Sequence, residues 1–149
     1  MPPATPSQTV GPYLALGLPW ADGPVADAAG VRIGGHVLDG AGAPIPDALV
    51  ELWHHDPPVF ARSATDDEGR WSVRVPASPY LAVHLLARGL LRHLTTRVYL
   101  DPAADDPVLA AVPPDRRHTL IATPTDDGYR FDIRIQARPP AGETVFFDL

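Results

Sequence analysis

The chain has 149 residues and a formal net charge of −6, with no cysteine. This length fits one domain of common size, and the negative charge gives a nucleic-acid backbone little to bind. There are no thiols for disulfides, no apolar run near the roughly 20 residues of a membrane span, and no secretory leader pattern at the N-terminus. We therefore expect a single cytoplasmic domain that covers residues 1–149.

The N-terminal segment predicts an extended arm. Prolines are frequent between Met1 and Tyr13, and no apolar periodicity accompanies them, so a helix is disfavoured there. We therefore assign residues 1–13 to an arm that precedes the folded core. The stretch from Leu14 to Gly30 is rich in alanine, glycine and proline, which predicts irregular structure.

Most of the remaining chain predicts short strands separated by turns. Period-two patterns recur between turn signals such as Asp39-Gly40 and Asp126-Asp127-Gly128. The predicted strands cover residues 31–38, 48–54, 70–75, 79–89, 92–100, 119–123, 129–136 and 145–149. One short helix is expected from Asp106-Pro107 to Val112, because aspartate caps a helix and proline is tolerated at its first position. Seven or eight such strands predict an all-β, two-sheet sandwich.

The segment 79–89 has the pattern of a buried strand. One face is purely apolar, and the other carries Tyr80 and His84. Residues four apart on a strand lie roughly 13 Å apart, whereas the ligands of one metal ion each place an atom within about 2 Å of it. This pair therefore predicts no metal site, and the strand instead delivers Arg88 to a turn at Gly89.

No self-contained catalytic motif is visible elsewhere. The sequence has no cysteine cluster, no His-x-His pair, no GxSxG elbow and no glycine-rich phosphate loop. His54 and His55 are adjacent on a predicted strand and should point to opposite faces. The Gly34-Gly35 pair inside the first strand predicts a bulge or a close backbone approach. Taken alone, these features indicate an all-β domain whose simplest function is binding.

Four segments together carry a resemblance that spans nearly the whole chain. They are Thr-Pro-Ser-Gln-Thr-Val-Gly-Pro-Tyr at 5–13, Leu-Ala-Arg-Gly at 86–89, Tyr-Arg-Phe-Asp-Ile-Arg-Ile-Gln at 129–136 and Gly-Glu-Thr-Val-Phe-Phe-Asp at 142–148. In this order they resemble the alpha-chain family of the intradiol ring-cleavage dioxygenases that act on protocatechuate. The resemblance implies a β-sandwich core and a hetero-oligomer with a beta subunit, whose tyrosines and histidines hold a non-haem Fe(III).

The resemblance also implies that this chain binds no iron of its own. The strand that carries a His-x-His pair in beta chains corresponds to Tyr80-Leu81-Ala82, and alanine cannot ligate a metal. The loop after Trp53, which carries a ligating tyrosine in catalytic chains, is cut down to residues 54–58. Compared with the family, the chain is also short around residues 18–31 and 57–64.

The resemblance assigns the arm to a substrate pocket. It implies that the arm reaches over the beta subunit's active site, with Arg88 beside it to orient the carboxylate of protocatechuate. The residues placed in the pocket wall are Thr9, Gly11, Pro12, Tyr13 and Arg88. The enzyme would open the catechol ring with O2 between its two hydroxyl carbons, and this chain would contribute no catalytic residue.

Several alternatives stay open from the sequence. Arg88 could be an ordinary surface ion-pair partner, and Tyr13 could be only a packing residue. The chain could be a partner-binding β-sandwich without catalysis. It could also be a homomeric dioxygenase with an unusual iron site that uses Tyr80, His84 or His54.

Overall fold

The computed structural model describes residues 4–103, 105–137 and 142–148, and within them the chain is mostly strands arranged in two sheets. The strands are β1 Val31–Leu38, β2 Leu49–His55, β3 Pro58–Ala64, β4 Arg70–Val75, β5 Tyr80–Leu86, β6 Leu94–Tyr99, β7 Thr123–Thr125, β8 Gly128–Arg130 and β9 Ile133–Arg134. The helices are α1 Leu14–Gly17, α2 Pro107–Ala111 and a 3-10 helix at Arg117–Leu120. The predicted all-β, two-sheet fold is confirmed. In the described ranges, no helix has both the length and the apolar character that crossing a bilayer requires.

One sheet has four antiparallel strands in the order β3-β2-β5-β6. The period of two along these strands sends alternate residues to opposite faces. On β5, Leu81, Val83 and Leu85 are fully buried, whereas Tyr80, Ala82, His84 and Leu86 are partly exposed. The inner face therefore packs in the core and the outer face meets solvent, as the alternation predicts.

The other sheet is mixed, with the order β4-β1-β8-β7 and with β9 also paired to β1. Strand β1 is antiparallel to β4 and parallel to both β8 and β9. Its inner residues Ile33 and Val37 are fully buried and join Trp71 and Val73 of β4 in the core. The main core lies between the two sheets, and a smaller cluster around Tyr99 and Leu120 lies beneath α2.

The Gly34-Gly35 pair marks a close backbone approach, as predicted. A Cβ atom at Gly35 would lie 2.1 Å from the carbonyl oxygen of Phe131. The Phe131 amide donates to the Gly34 carbonyl oxygen at 2.9 Å, so the two backbones touch here. Any side chain at Gly35 would push them apart.

The predicted continuous strand at 129–136 is wrong in one respect, because it is divided into β8 and β9. Between them the carboxylate of Asp132 accepts the amide hydrogen of His36 at 3.0 Å, in place of a backbone carbonyl. A side chain that offers the backbone such a bond competes with the regular ladder. Gln136 then adopts a positive φ of 58°, beyond the end of β9.

Three further expectations need correction. Residues 119–123 were expected to be a strand, but the 3-10 helix occupies Arg117–Leu120, and Arg117 donates to the carbonyl oxygens of Ala110 and Val112. The tail 145–149 forms an isolated bridge between Phe147 and Thr95 in place of a strand, and its last residue lies outside the described ranges. The stretch after Tyr13, expected to be irregular, begins with the short helix α1.

Strand β3 was not predicted. The sequence indicates only that residues 57–64 are a stretch shorter than in the family, yet Val59, Ala61 and Ser63 are buried and alternate with more exposed neighbours. The other shortened stretch packs directly on it, because the Arg62 amide donates to the Gly23 carbonyl oxygen at 2.7 Å. The two regions that are short compared with the family, residues 18–31 and 57–64, are therefore in contact with each other.

Candidate functional site

Arg88 lies in a tight turn that follows β5. The preceding residue, Ala87, is buried in the core, and the Leu90 amide donates to its carbonyl oxygen at 3.2 Å to close the turn. Gly89 has φ of 88°, a backbone conformation that glycine adopts without a Cβ penalty. The strand therefore ends by presenting Arg88 at the surface on a fixed backbone.

The N-terminal arm reaches this turn. The Thr9 hydroxyl oxygen accepts the Gly89 amide hydrogen at 3.0 Å, across 80 residues of sequence, and also lies 3.4 Å from the Gly11 nitrogen. Residues 4–10 form neither helix nor strand and are exposed. One side chain of the arm thus docks on the backbone next to Arg88.

The remaining arm residues have different environments. Pro12 is exposed, Gly11 is half-buried, and Tyr13 is 78% exposed. The Tyr13 carbonyl oxygen accepts the amide hydrogens of Leu16 and Gly17 at the start of α1. Tyr13 therefore anchors a helix with its backbone and leaves its side chain exposed in the lone chain.

Among the residues that the structure describes, Arg88 forms an ion pair with Asp47. Its Nε lies 2.7 Å from the Asp47 carboxylate, whose side chain is 19% exposed, whereas the Arg88 side chain is 63% exposed. This contact holds the Nε side of the guanidinium against Asp47. Because arginine carries five donors in a planar fork, the terminal nitrogens remain able to take a carboxylate in a bidentate arrangement.

The outer face of the four-stranded sheet contains Tyr80 and His84, two of the three candidate ligands for an atypical iron site, and the third, His54, lies at the strand end beside Tyr80. His54 and Tyr80 make an edge contact with ring centroids 5.6 Å apart, but the Arg97 guanidinium lies 4.4 Å from the Tyr80 ring centroid. His84 is instead 4.9 Å from His93, also centroid to centroid. These groups form two separate pairs, one of them beneath a permanent cation.

The placement of these side chains does not bring them together around one point, because Tyr80 contacts His54 whereas His84 contacts His93. Across residues 4–103, 105–137 and 142–148, no three histidine, cysteine, aspartate or glutamate side chains are grouped so that they could hold a metal. The position next to Tyr80 on this face is Ala82, which has no donor atom. A guanidinium above the Tyr80 ring would also repel a trivalent cation.

Arg97 belongs to a network that sequence reasoning missed. Asp106, the N-cap of α2, accepts hydrogen bonds from Arg97 Nη1 at 2.8 Å and from the Tyr99 hydroxyl at 3.0 Å. Burial, together with the Asp106 carboxylate, raises the pKa of Tyr99 to about 12. Burial would lower the pKa of Arg97, but Tyr99 and Asp106 outweigh it and raise that pKa. Arg97 and Asp106 are therefore both ionised at neutral pH, whereas the Tyr99 hydroxyl is neutral.

His84 was considered only as a ligand, and its imidazole has other neighbours. Its Nδ1 lies 3.8 Å from the Glu51 carboxylate, which also pairs with Arg62. Burial lowers the pKa of His84, and a charge on His93 lowers it further, while Glu51 opposes both effects. His84 is therefore neutral at neutral pH. The cross-strand register of β2, β5 and β6 would have revealed these neighbours, but a single sequence does not show strand pairing.

Comparison with known proteins gives a consistent picture. No family model matches the chain. The protocatechuate 3,4-dioxygenase alpha chain of Pseudomonas putida is 37% identical, with 98% of this chain and 96% of that protein covered. The protein of the same name from Burkholderia cepacia is also 37% identical, with 97% of each chain covered. The first alignment runs over 197 residues, more than the 149 of this chain, so it contains gaps in this chain.

Solved structures show the same fold at lower identity. The dioxygenase domain of a dioxygenase carbohydrate-binding protein fusion from Streptomyces sp. SirexAA-E has a TM-score of 0.59 and 21% identity, with 90% of this chain and 99% of that one covered. Hydroxyquinol 1,2-dioxygenase from Pseudomonas putida DLL-E4 has a TM-score of 0.55 and 17% identity. The match covers 75% of this chain and 59% of the hydroxyquinol enzyme. The TM-scores, rather than the low identities, show that these structures share the β-sandwich fold of this chain.

Proposed function

Because the chain belongs to the family of protocatechuate 3,4-dioxygenase alpha chains, we propose that it is the non-iron-binding alpha subunit of such an enzyme. The enzyme opens protocatechuate with O2 between its two hydroxyl carbons and yields 3-carboxy-cis,cis-muconate, a reaction of aromatic catabolism in the cytoplasm. A beta subunit holds the Fe(III), which activates the catechol when bound. The part of this chain is to shape the pocket and to orient the substrate.

The observation that carries this proposal is the hydrogen bond between Thr9 and the Gly89 amide. It holds the arm beside Arg88, although the two are far apart in sequence. Thr9, Gly11, Pro12, Tyr13 and Arg88 are the residues proposed to line the substrate pocket of the assembled enzyme. The exposed ring of Tyr13 and the exposed fork of Arg88 are then surfaces available to the partner and the substrate.

The proposed role of Arg88 is to bind the substrate carboxylate. A chain with a net charge of −6 repels an anionic substrate at long range, so a local cation must offset that repulsion. Asp47 engages Nε of Arg88 and so pre-orients the guanidinium, which lowers the entropy lost when a carboxylate binds. The contribution is therefore positional rather than chemical.

The test is the Arg88→Ala variant, assembled with its beta subunit. A charge-assisted hydrogen bond contributes about 1.5 to 3 kcal/mol, so KM for protocatechuate should rise about tenfold or more. KM for catechol, which lacks the carboxylate, should change little. Arg70→Ala is a matched control, since Arg70 is also an exposed, ion-paired arginine, 60% exposed at its side chain. Equal effects of Arg88→Ala on the two substrates would contradict the role.

Purification with and without the beta subunit separates the remaining alternatives. The proposal expects a coloured, active, iron-containing complex and a colourless, inactive lone chain. A partner-binding module without catalysis would leave the complex inactive. Stoichiometric ferric iron in the isolated chain would instead support a homomeric dioxygenase. The roughly 13 Å between Tyr80 and His84 along β5, and the Arg97 guanidinium over the Tyr80 ring, argue against such a centre.

A further inference from the structure

The outer face of the four-stranded sheet contains a cleft above Ala82. Ala82 is paired with Trp53 of β2 on one side and with Arg97 of β6 on the other. Strands lie about 4.8 Å apart, so Trp53 and Arg97 stand roughly 10 Å from each other with only a methyl group between them. A small residue between two large ones therefore leaves a space of about 320 Å³.

The walls of this cleft are mainly apolar and aromatic. The Trp53 side chain forms one wall, and the residue is 39% exposed. Phe147 forms another and is fixed there by its backbone, because its amide donates to the Thr95 carbonyl oxygen at 2.8 Å. Val108 of α2 adds an aliphatic surface. Aromatic side chains around a flat floor favour a planar apolar ring over an aliphatic chain.

The end of the cleft formed by β6 is cationic. Arg97 donates a hydrogen bond from Nη1 to the Asp106 carboxylate, so other N–H donors of the guanidinium can bind a ligand. Its side chain is 25% exposed, so the charge is screened by water less than a surface charge would be. The other charged residue in the lining is Asp148, whose side chain is 92% exposed and paired with Arg92 at 2.6 Å. Of the two charged residues in the lining, Asp148 thus lies at the mouth, and Arg97 lies inside with Asp106 on one of its nitrogens.

We propose that this cleft binds a small monocyclic aromatic carboxylate, with its ring between Trp53 and Phe147 and its carboxylate on Arg97. The volume suffices, since a cavity of about 150 Å³ already accommodates benzene. Neutral His84 and the Thr95 hydroxyl, which lie next to each other across β5 and β6, add hydrogen-bonding groups for ring substituents. The site consists of side chains of this chain, so it does not depend on the proposed function.

Isothermal titration of the full chain, purified without a partner, with benzoate tests this assignment. Benzoate should bind with one-to-one stoichiometry. Ala82→Leu fills the floor and should weaken binding at least about tenfold, because its side chain would occupy the space that the ring of benzoate needs. Phe147→Ala removes a wall and serves as the second variant should Ala82→Leu not fold. Ala43→Leu, the same substitution at an exposed loop position, should change nothing.

The charge is tested separately with benzyl alcohol, which is the same size and neutral. Arg97→Gln should weaken benzoate binding about tenfold and leave benzyl alcohol binding nearly unchanged. Arg88→Ala should leave benzoate binding to the lone chain intact, which distinguishes this site from the proposed substrate pocket. No saturable benzoate binding, binding insensitive to both Ala82→Leu and Phe147→Ala, or loss of binding in Arg88→Ala would each overturn the proposal.

Discussion

The Asp106→Ala substitution removes one carboxylate that connects a helix to a strand. Its Oδ1 accepts the amide hydrogens of Val108 at 2.8 Å and Leu109 at 3.1 Å, and so caps α2. The same carboxylate accepts the Tyr99 hydroxyl at 3.0 Å and pairs with Arg97 at 2.8 Å. Its side chain is 11% exposed, so water does not replace these bonds easily.

The expected loss follows from these contacts. An N-cap contributes about 1 kcal/mol, and removing one partner from a buried charged pair costs about 3 to 5 kcal/mol. Because Arg97 can partly regain water, we expect Asp106→Ala to lower the free energy of unfolding by about 3 to 4 kcal/mol. Asp106→Asn keeps a capping oxygen and should lose about 2 kcal/mol.

Urea unfolding of the chain, followed by circular dichroism, measures these differences. Asp105→Ala is the matched control, because Asp105 is the exposed preceding residue, and such changes stay within about 0.5 kcal/mol. A loss in Asp106→Ala no larger than in Asp105→Ala would refute the reasoning. It would mean that α2 and β6 are held together by apolar packing alone.

The same network predicts a pH dependence. Burial would raise the pKa of Asp106, but the Leu109 amide, the Tyr99 hydroxyl and Arg97 outweigh it and lower that pKa below its ordinary 3.8. A carboxylate with a lowered folded pKa contributes stability above its unfolded pKa and loses that contribution as pH falls through the folded value. The stability gap between the native chain and Asp106→Asn should therefore be full at pH 6 and shrink below about pH 4. A gap that stays constant to pH 2 would contradict the assignment.

Two further predictions concern the backbone. Gly35→Ala should destabilise the chain by about 3 kcal/mol or more in urea, because its Cβ would meet the Phe131 carbonyl oxygen, whereas Gly17→Ala, with open space around it, should not. Thr9→Val should release the arm from Gly89 and speed its proteolysis about fivefold relative to Thr5→Val, since one hydrogen bond contributes about 1 kcal/mol. Equal rates, or a stable Gly35→Ala chain, would show these contacts to be unimportant.

Much of the strand pattern could be predicted because burial on one face leaves a period of two in the sequence. Strand β1 has the predicted bounds, and β5 shows the predicted faces. Strand β3 was missed because Pro57 precedes it, Pro58 begins it, and its buried residues are as small as Ala61 and Ser63, so the alternation is weak. The division between β8 and β9 depends on the hydrogen bond that the Asp132 carboxylate accepts from the His36 amide on β1. The local pattern of apolar residues does not show such a contact between distant parts of the sequence.

The candidate site was less accessible to sequence reasoning than the fold. Arg88 and the arm were identified through a family resemblance. Their contact depends on the hydrogen bond between the Thr9 hydroxyl and the Gly89 amide, which are 80 residues apart in sequence. The cleft above Ala82 was not predicted, although the sequence does show that Ala82 cannot ligate a metal. Its neighbours come from β2 and β6, and their alignment with β5 follows from strand register that a single sequence leaves undetermined.

The parallel pairing of β1 with β8 and β9 affects how the chain is made. The ribosome releases β1 well before residues 128–134, with which β1 pairs. Until then β1 exposes unpaired amides and carbonyls, a surface that attracts other chains. A nascent chain stalled before residue 128 should therefore be aggregation-prone, and production of the protein should benefit from slower synthesis or from a chaperone that shields that edge.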